Sequence, residues 1–572
     1  MGNTRPGSPP LQPDWYRDAI IYEVNVRTFF DGNGDGVGDF EGLTAKLCYL
    51  KDLGVTALWL LPFYPSPLKD GGYDISDYMG VLPGCGTLDS FDRFLGASHD
   101  LGIRIITELV LNHTSDQHPW FQRSRRADPG SKWRDFYVWS DTTAKYGEAR
   151  VIFRDFEKSN WTWDPLAQAY YWHRFFSHQP DLNHDSQYVR TEITKAVDFW
   201  LSRGVDGFRL DAAPFLFERE GTSCENLPET HQYLKALRSH IDSKFPGRVL
   251  LVEANQPAKQ VASYFGSGDE CHMAFHFNLA LGLFKAVQSE DSAPIVEALR
   301  GTTRLPDSCQ WAIFLRNHDE LSLEQVGAKE RAELFRAFAR DLDTRVNLGI
   351  RRRLAPLLSN DRSKLELLNV LLFSLPGTPV IYYGDEVGMG DDCSLPDRDG
   401  IRTPMQWNGG PNGGFSGSDS GKLYPPPISD GLYGFKAVNV AAQLHDSSSL
   451  LAWMKRLIRA SSGSAALRRG KFVLVPSNNR KILSFIRANG DEEVLVSVNL
   501  SGAAQEAILG LGGFRGSRPR DLLSEAALPR LGPSTLELGF RPYGYHLLSL
   551  EGGPGRGRRS ASQTTKGIRE VS

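Results

Sequence analysis

The sequence predicts an α/β protein: a (β/α)8 TIM barrel with a small domain inserted after strand 3 and a C-terminal antiparallel β-sandwich domain. Three observations support this prediction. Eight short apolar runs recur along the chain, and helix-like segments follow the first seven of them. A stretch rich in Trp, Asp, Pro and His interrupts this rhythm after the third run. From about residue 466 onward, short alternating runs occur without helices between them.

The eight apolar runs are the candidate strands of the barrel. They cover residues 19–26, 57–62, 103–112, 207–212, 248–255, 274–278, 311–319 and 378–386. Between the first two, Leu43, Leu47, Leu50 and Leu53 recur at the spacing of one helix face, which predicts an amphipathic helix. Strands that alternate with helices in this way favour a parallel sheet closed into a barrel.

The composition also divides the chain into domains. We expect a flexible N-terminus (1–14), a catalytic barrel domain (15–112 and 182–465), an inserted domain (113–181), a lid-like excursion within the barrel domain (388–433), a C-terminal β domain (466–551) and a disordered tail (552–572). The tail is basic. Its arginines would allow contact with nucleic acid, although a solubilising role is the favoured interpretation.

The overall composition excludes several classes of protein. The chain has 572 residues, a formal net charge of −3 and 41% hydrophobic residues, so it can bury a large core and has no general attraction to nucleic acid. No apolar run reaches the length of a membrane span, and the N-terminus lacks the apolar core of a signal peptide. Six scattered cysteines fit a reducing compartment. We therefore expect a cytoplasmic protein without nucleic-acid or membrane partners, and the sequence leaves room for a homo-oligomer.

Polar residues lie at the carboxyl ends of four candidate strands, where barrel enzymes place their chemistry. These residues are Asn112 and His113, Arg209 and Asp211, Glu253, and His318 and Asp319. Arg209 and Asp211 are two positions apart on a strand and therefore face the same side. Alone, this pair could be a buried structural salt bridge. Three carboxylates and two histidines at one barrel mouth indicate a functional site, because burying several charges together is costly unless they are paired.

Retaining cleavage of a glycosidic bond requires this set of carboxylates. The reaction needs one ionised carboxylate as nucleophile and a second carboxyl group with a raised pKa as proton donor. Asp211 fits the nucleophile, because Arg209 beside it should lower its pKa by about 1–3 units. Glu253 ends an apolar strand, which suits an acid/base role. Asp319 would be a third carboxylate that steadies the sugar.

Four motifs in this order resemble glycoside hydrolase family 13, the α-amylase clan of retaining α-glucoside enzymes. The motifs are ELVLNHTSDQHPWF, GFRLDAAP, LLVEAN and FLRNHDE, and the resemblance covers about residues 15–550. It implies Asp211 as nucleophile, Glu253 as general acid/base and Asp319 as transition-state stabiliser. The surrounding residues that it implies for sugar binding are His113, Arg209 and His318.

Two further motifs resemble the exo-acting branch of that family, which holds the end of a short α-glucoside in a blind pocket. KDGGYDISDY resembles the loop that grips the terminal glucose through Asp70 and Tyr73. DGIRTPMQW implies that Arg402 helps to close the far end of the pocket. The run QPDLN belongs to the same branch.

Longer stretches such as CENLPETH and RVNLGIRRRLAPLL resemble the trehalose synthases within this branch. That resemblance implies intramolecular α-glucosyl transfer that interconverts maltose and trehalose through a covalent glucosyl-enzyme intermediate, with side hydrolysis to glucose. The released glucose would turn over inside a closed pocket and attack through its anomeric hydroxyl. The inserted domain and the 388–433 excursion are the candidate lids. The expected small-molecule partners are therefore maltose, trehalose and glucose.

Two departures from the family pattern keep alternatives open. Glu108 stands where an aspartate is common, and HFNLALGLFKAVQ, near the acceptor site, differs from the more Pro- and Met-rich text of the trehalose synthases. The alternatives are an exo-acting α-glucosidase or α-amylase-like hydrolase, and a non-catalytic carbohydrate-binding protein, which the intact carboxylates oppose. A metal site built from His113, His318 and carboxylates is a further alternative, but a helical H-E-x-x-H motif is absent.

Two structural calcium sites are predicted, and no organic cofactor is expected. In DGNGDGVGD, Asp31, Asn33, Asp35, the carbonyl group of Val37 and Asp39 have the 1, 3, 5, 7, 9 spacing of a calcium loop. The EF-hand glutamate at position 12 is missing, and a Gly/Asp turn without metal is the alternative. The family resemblance implies a second site. Its ligands would be Asn112, Asp181 and carbonyl groups near Phe215, Leu216 and Glu218.

Overall fold

Eight parallel strands close into a barrel, which confirms the predicted fold class. The structure is a computed structural model that describes residues 13–300, 302, 304–511, 517–531 and 535–550. In chain order, the barrel strands are Ile21–Val24, Ala57–Leu60, Arg104–Val110, Gly207–Asp211, Val249–Val252, Met273–Phe275, Gln310–Phe314 and Thr378–Tyr382. Each strand pairs with its neighbours in chain order, and the first also pairs with the eighth.

Several strands end before the polar residues that the sequence patterns include in them. The predicted third, fifth and seventh strands run to residues 112, 255 and 319, whereas the observed strands end at Val110, Val252 and Phe314. The chain leaves the sheet at these points, and side chains such as Glu253 and Asp319 line a cavity there. The apolar runs therefore predict where the strands lie, and the strands end where the polar residues of the cavity begin.

The barrel interior changes from apolar to charged along the fourth strand. Ile21, Ala57 and Val249 belong to the buried apolar cluster inside the barrel. At Gly207, a Cβ atom would lie 2.4 Å from the carbonyl oxygen of Val249, so only glycine permits this approach of the two strands. Two residues further along, Arg209 enters the interior and is 1% exposed. A charged layer thus covers the apolar core at the carboxyl end of the barrel.

Helices surround the barrel and join it to the C-terminal domain. The α-helices are Val26–Phe29, Phe40–Ala45, Leu47–Leu53, Leu88–Asp100, Pro119–Ser124, Gln187–Arg203, Pro228–Lys244, Ala258–Ser263, Phe277–Ser289, Ala293–Leu299, Ala328–Phe338, Leu354–Leu357, Arg362–Ser374, Val440–Leu444, Leu450–Gly463 and Ala465–Arg469. The single helix predicted after the first strand is divided at Lys46 into two. Its leucines still form one buried face.

Two small sheets lie in the connections of the barrel. The first is in the inserted domain and consists of Trp139–Ser140, Trp161–Asp164 and Ala169–Trp172. The second was not predicted and follows the seventh barrel strand, with strands Leu321–Ser322, Arg345–Val346 and Gly349–Ile350. The 388–433 excursion contains 3-10 turns at Asp399–Ile401, Pro411–Gly414 and Ser420–Lys422.

The C-terminal domain is a pair of antiparallel sheets that share one core. Its strands are Lys471–Leu474, Ile482–Asn489, Glu492–Asn499, Gln505–Gly510, Arg520–Asp521, Thr535–Phe540 and Tyr545–Ser549. Five of them form one sheet, and Gln505–Gly510 pairs with Thr535–Phe540 in the other. Ile486 and Leu495 from the first sheet pack with Leu509 and Phe540 from the second. This is the predicted sandwich.

Two expectations fall partly or wholly outside the described residues. Residues 1–12 of the N-terminal segment and the whole 552–572 tail are not described. Within the described ranges, no helix is both long enough and apolar enough to cross a membrane.

Candidate active site

One guanidinium group joins three carboxylates at the carboxyl end of the barrel. Arg209 Nη1 lies 2.5 Å from Oδ1 of Asp211 and 3.0 Å from Oε2 of Glu108. Its Nη2 lies 2.6 Å from Oε1 of Glu253. Arg209 and Asp211 therefore face the same side of the fourth strand, and Glu253 reaches them from the end of the fifth strand, which pairs with the fourth.

The pKa values of Asp211 and Glu253 suit two different roles. Burial raises the pKa of Asp211 to about 6, although Arg209 acts in the opposite direction. The net shift is opposite to the lowering expected from Arg209 alone, because desolvation outweighs the ion pair. Burial also raises the pKa of Glu253 to about 7, against Arg209 and with the help of Asp211. At neutral pH Asp211 is mainly ionised, while a large fraction of Glu253 carries a proton to donate.

Asp319 is held as a carboxylate by three cationic groups. His318 Nε2 lies 3.0 Å from its Oδ2. Arg398 Nη1 and Arg402 Nη2 each donate to its Oδ1 at 3.0 Å. Burial opposes ionisation, but His318 and Arg398 outweigh burial and hold the pKa of Asp319 well below its ordinary value. Asp319 thus stays negative beside Asp211 and Glu253 in the same cavity.

Arg398 connects Asp319 to Asp70 on another wall of the cavity. Arg398 Nη2 donates to Oδ1 of Asp70 at 2.7 Å, and Gln179 Nε2 donates to Oδ2 at 2.9 Å. Arg398 was not predicted from the sequence, although it precedes Arg402 in the run DRDGIRT and could have been found there as the second basic residue. Arg398 lines the cavity and Arg402 does not, so Arg402 supports Asp319 from outside the cavity.

Tyr73 and His113 supply further polar groups to the same cavity. The Tyr73 hydroxyl donates to Oε1 of Glu108 at 3.0 Å. Burial lowers the pKa of His113 to about 4, so its imidazole is neutral at pH 7. Its Nε2 atom is buried without a hydrogen-bond partner among the described residues and is free to bind a sugar hydroxyl. Both residues therefore stand where the sequence places them, in reach of one small ligand.

The residue after Asp211 has a strained backbone. Ala212 has a φ of 51°, in the left-handed region that costs of order 1–3 kcal/mol for a residue with a side chain. Its amide lies 3.4 Å from Oε2 of Glu253, and Ala212 itself lines the cavity. The turn at Ala212 thus brings the backbone next to Asp211 into contact with the Glu253 carboxyl group.

The inserted domain contributes to the cavity wall through an ion-pair network. Arg150 donates through Nη1 to Glu324 and through Nε to Glu225, both at 2.8 Å. Arg174 reaches the same Glu225 oxygen at 2.9 Å. Glu324 and Arg150 both line the cavity, so the bridge forms part of its wall. Sequence patterns did not identify this wall, because its partners are far apart in the chain.

Glu320 is a further acidic residue of the cavity that was not predicted from the sequence. It lines the cavity, and its Oε2 is buried without a hydrogen-bond partner among the described residues. Burial raises its pKa to about 7, with Arg398 acting against the shift and Asp319 adding to it. Near neutral pH this carboxyl group is present in both protonated and ionised forms, so it can donate a hydrogen bond to a second sugar unit or accept one from it.

The first candidate metal site is a loop that folds around its own side-chain oxygens. Asp31 accepts from the amides of Gly34 and Gly36, at 2.6 and 2.8 Å, and Asp39 accepts from Gly42. The side chains of Asn33 and Asp35 also accept backbone amides. The donors are all oxygen, which suits calcium, and the amides leave further lone pairs on each carboxylate. The turn without metal remains compatible with the same contacts.

The second candidate site contains orphaned oxygens and fits a cation better. Asn112 Oδ1, Asp181 Oδ2 and Glu218 Oε1 are buried and have no hydrogen-bond partner among the described residues. Burial raises the pKa of both Asp181 and Glu218, and the charge of Asp181 adds to the shift of Glu218. Phe215 and Leu216 follow the fourth strand at the turn Ala213–Phe215. Within the described ranges, no three His, Cys, Asp or Glu side chains form a metal cluster, so amide and carbonyl oxygens would complete the site.

Comparisons with known proteins identify the family of both the barrel and the C-terminal domain. Residues 23–340 and 351–470 match the family model of the alpha amylase catalytic domain, and residues 472–547 match the maltogenic amylase C-terminal domain. The trehalose synthase/amylase of Mycolicibacterium smegmatis is 52% identical over 554 residues, which are 95% of this chain and 93% of that protein. The trehalose synthase of Pimelobacter sp. is 49% identical over 552 residues, 94% of this chain and 96% of that protein.

A solved structure shares the whole architecture. The crystal structure of the trehalulose synthase from Pseudomonas mesoacidophila has 27% sequence identity and a TM-score of 0.75, and the match covers 96% of this chain and 100% of that one. The barrel and the carboxylates that line the cavity at its carboxyl end define a class of protein, the barrel enzymes that act on glycosidic bonds. With the family match, they show that this chain belongs to the α-amylase family, glycoside hydrolase family 13.

Proposed function

We propose that this protein interconverts maltose and trehalose by intramolecular transfer of an α-glucosyl unit, with hydrolysis to glucose as a side reaction. The observation that carries this proposal is the Arg150–Glu324 bridge, which ties the inserted domain to the connection after the seventh strand in the wall of a cavity that holds three catalytic-type carboxylates. A closed wall keeps a released glucose beside the intermediate and keeps water out. Relatives of about 50% identity along nearly the whole chain support the same reaction.

The reaction proceeds in two displacements at one anomeric carbon. Asp211 attacks that carbon while Glu253 gives its proton to the leaving oxygen, which produces a glucosyl ester of Asp211 and free glucose. The retained glucose then turns over. Its anomeric hydroxyl attacks the anomeric carbon of the glucosyl ester, Glu253 takes the proton back, and the bond from that carbon to Asp211 breaks, so that Asp211 leaves as a carboxylate. Asp319, already ionised, stabilises the positive charge that develops on the sugar ring in both steps.

The remaining site residues bind and orient the sugar. Asp70, held by Arg398 and Gln179, accepts hydroxyl groups of the glucosyl unit. His113 presents a free Nε2 atom, and Tyr73 presents its ring and hydroxyl group. Arg209, His318 and Arg402 act through the carboxylates that they hold.

A labelled acceptor tests whether transfer is intramolecular. The enzyme is incubated with unlabelled maltose and an excess of uniformly 13C-labelled glucose, and trehalose is analysed by mass spectrometry. Unlabelled trehalose as the main product supports the proposal. Trehalose labelled in one ring would show that the acceptor comes from solution, and glucose as the sole product would overturn the isomerase assignment in favour of an α-glucosidase.

Calcium at the second site is a structural part of the proposal. Asn112, Asp181 and Glu218 would hold the ion, with the loop Asp31 to Asp39 as a second candidate. The ion would fix the inserted domain to the barrel at its base, where a backbone bridge between His113 and Asp181 joins the first and last residues of that domain. It would supply charge neutralisation there and would take no part in glucosyl transfer.

Cytoplasmic localisation is likewise proposed. All six cysteines are free, which suits a reducing compartment. Recovery of the protein in the cytosolic fraction, against a secreted marker, tests this assignment.

A further inference from the structure

We propose that Glu23 is a positioning residue that keeps His318 doubly protonated, so that His318 can hold Asp319 and Tyr73 in place. Glu23 lies on the first barrel strand and is fully buried. It does not line the cavity, and no sequence motif pointed to it. The inference rests on the proposed function, because that function makes Asp319 and Tyr73 part of the sugar site.

The contact between Glu23 and His318 uses one carboxylate oxygen. Oε1 of Glu23 lies 2.5 Å from Nδ1 of His318 and accepts the backbone amide of the same residue at 3.0 Å. Oε2 of Glu23 is buried without a hydrogen-bond partner among the described residues. Both hydrogen bonds of the Glu23 carboxylate therefore go to His318. The one to Nδ1 holds the imidazole ring, and the one from the backbone amide holds the loop that carries it.

The other ring nitrogen also faces acceptors. Nε2 of His318 lies 3.0 Å from Oδ2 of Asp319 and 2.8 Å from the Tyr73 hydroxyl. The Tyr73 hydroxyl donates its own proton to Glu108, so it accepts from His318. A carboxylate stands at each nitrogen, and each requires an N–H donor. The hydrogen bonds are satisfied together only when the imidazole carries both protons.

The surroundings of His318 favour this imidazolium. Burial lowers its pKa, but Asp319 and Glu23 outweigh burial and raise the pKa to about 9. Two rings fix its plane: Tyr73 stacks with centroids 5.3 Å apart, and Trp59 meets it edge-on at 5.7 Å. The charged or titratable groups around it are Glu23, Tyr73, Glu108, Arg209, Glu253, Asp319, Arg398 and Arg402.

Removal of the charge on Glu23 should therefore produce a defect that grows with pH. Glu23→Gln keeps an oxygen that accepts the amide and Nδ1–H, but it removes one of the two negative charges that stabilise the imidazolium. Once His318 is neutral, it has a single proton for two acceptor sides. Asp319 and Tyr73 then compete with residue 23 for that proton. A purely structural role for Glu23 would instead lower activity by the same factor at every pH.

The experiment compares pH profiles of kcat/KM for α-glucosyl fluoride in the wild type and Glu23→Gln. Fluoride leaves without a proton from Glu253, so the ionisation of Glu253 no longer limits the first step and the alkaline limb reports His318. We expect the midpoint of the alkaline limb to shift to lower pH by about 1–3 units in the variant. For a shift of two units, kcat/KM at pH 8.5 is more than about tenfold below the wild type. Tyr22→Phe is the control. Tyr22 lies on the same strand as Glu23, and the substitution removes a buried hydrogen bond from its hydroxyl group to Glu386, so the alkaline limb should remain unchanged.

A second measurement requires no substitution of Glu23 and no catalysis. In wild-type protein labelled with 15N-histidine, the His318 ring signals are identified by their loss in His318→Gln and followed with pH. We expect both ring nitrogens to remain protonated up to about pH 8. Titration of His318 near the ordinary value of 6.5, or a Glu23→Gln profile that coincides with the wild type or is lowered equally at all pH values, overturns the inference. Absence of fluoride release and of maltose consumption in the wild type would instead reject the proposed function, and the same NMR titration repeated in Glu23→Gln would still decide the role of Glu23.

Discussion

Arg150, in the inserted domain, lies 2.8 Å from Glu324, in the connection after the seventh barrel strand. The two residues meet across the cavity that contains Asp211, Glu253 and Asp319. The bridge is partly exposed, with 30% of the Arg150 side chain accessible, so it can open and close without unfolding of the core. On the proposed function, we expect this bridge to be open when products leave and closed while a released glucose is retained.

Substitution of Arg150 should change which product forms more than how fast maltose disappears. Arg150→Ala removes both the Glu324 and the Glu225 contacts, so glucose escapes and water enters before the second displacement. We expect the ratio of glucose to trehalose, measured by chromatography of the products from maltose, to rise several-fold. Arg154→Ala, at an exposed arginine of the same domain, is the matched control and should keep the wild-type ratio. An unchanged ratio in Arg150→Ala would show that the bridge does not retain glucose.

The pKa values of Asp211 and Glu253 predict a narrow bell-shaped pH profile with maltose. Asp211, with a pKa of about 6, must be ionised to attack, so activity falls as pH drops below 6. Glu253, with a pKa of about 7, must be protonated to assist the leaving group, so kcat/KM falls as pH rises above 7. The optimum for kcat/KM should therefore lie between these two values. A broad plateau extending to pH 9 would contradict the assignment of Glu253.

Two substitutions separate the nucleophile from the acid/base. Glu253→Gln should lower kcat/KM for maltose by about 10²–10⁴-fold and flatten the alkaline limb. The loss should be much smaller in fluoride release from α-glucosyl fluoride, because that leaving group needs no proton. Asp211→Ala should abolish cleavage of both substrates. Substantial turnover of α-glucosyl fluoride by Asp211→Ala would reject Asp211 as the nucleophile.

The sequence predicts the barrel well because each strand carries a local apolar pattern, and Arg209 and Asp211 share one strand. It predicts closure of the cavity poorly. Arg150 and Glu324 come from distant parts of the chain, and no local pattern relates them. The sign of the Asp211 pKa shift also depends on burial, which spacing alone does not reveal. Local periodicity thus gives the positions of the carboxylates, whereas their pKa values follow from three-dimensional packing.

The function of Arg398 should depend on the forked geometry of its guanidinium group as well as on its positive charge. Its two terminal nitrogens reach Asp319 and Asp70 separately, at 3.0 and 2.7 Å, which a lysine ammonium group cannot do in the same geometry. We expect Arg398→Lys to raise KM for maltose and lower kcat/KM by at least about tenfold, equivalent to the loss of one charge-assisted hydrogen bond. Arg340→Lys, at an exposed arginine bonded to a backbone carbonyl, is the control. Wild-type kinetics in Arg398→Lys would show that the bridge between the two aspartates is dispensable.

Calcium should stabilise the protein through Asp181 and Glu218. Burial raises the pKa of both carboxyl groups above their unfolded values, so without a cation their contribution to stability is present at low pH and is lost as pH rises through the folded pKa values. A bound cation reverses this penalty and adds free energy that grows with its concentration. We therefore expect EDTA to lower the Tm at pH 8 and millimolar calcium to restore it, with a smaller effect at pH 5. Calorimetry at both pH values measures the difference.

Substitutions at Glu218 and Asp35 distinguish a calcium ion at the buried site from one in the loop at Asp31. Glu218→Gln keeps the size of the side chain and removes one uncompensated charge, so the EDTA-treated variant should have a higher Tm at pH 8 than the EDTA-treated wild type. Its response to calcium should be greatly reduced. Asp35→Asn alters the exposed loop alone and should retain the large response if the buried site is the one that matters. A full calcium response in Glu218→Gln together with its loss in Asp35→Asn would assign the stabilising ion to the loop instead.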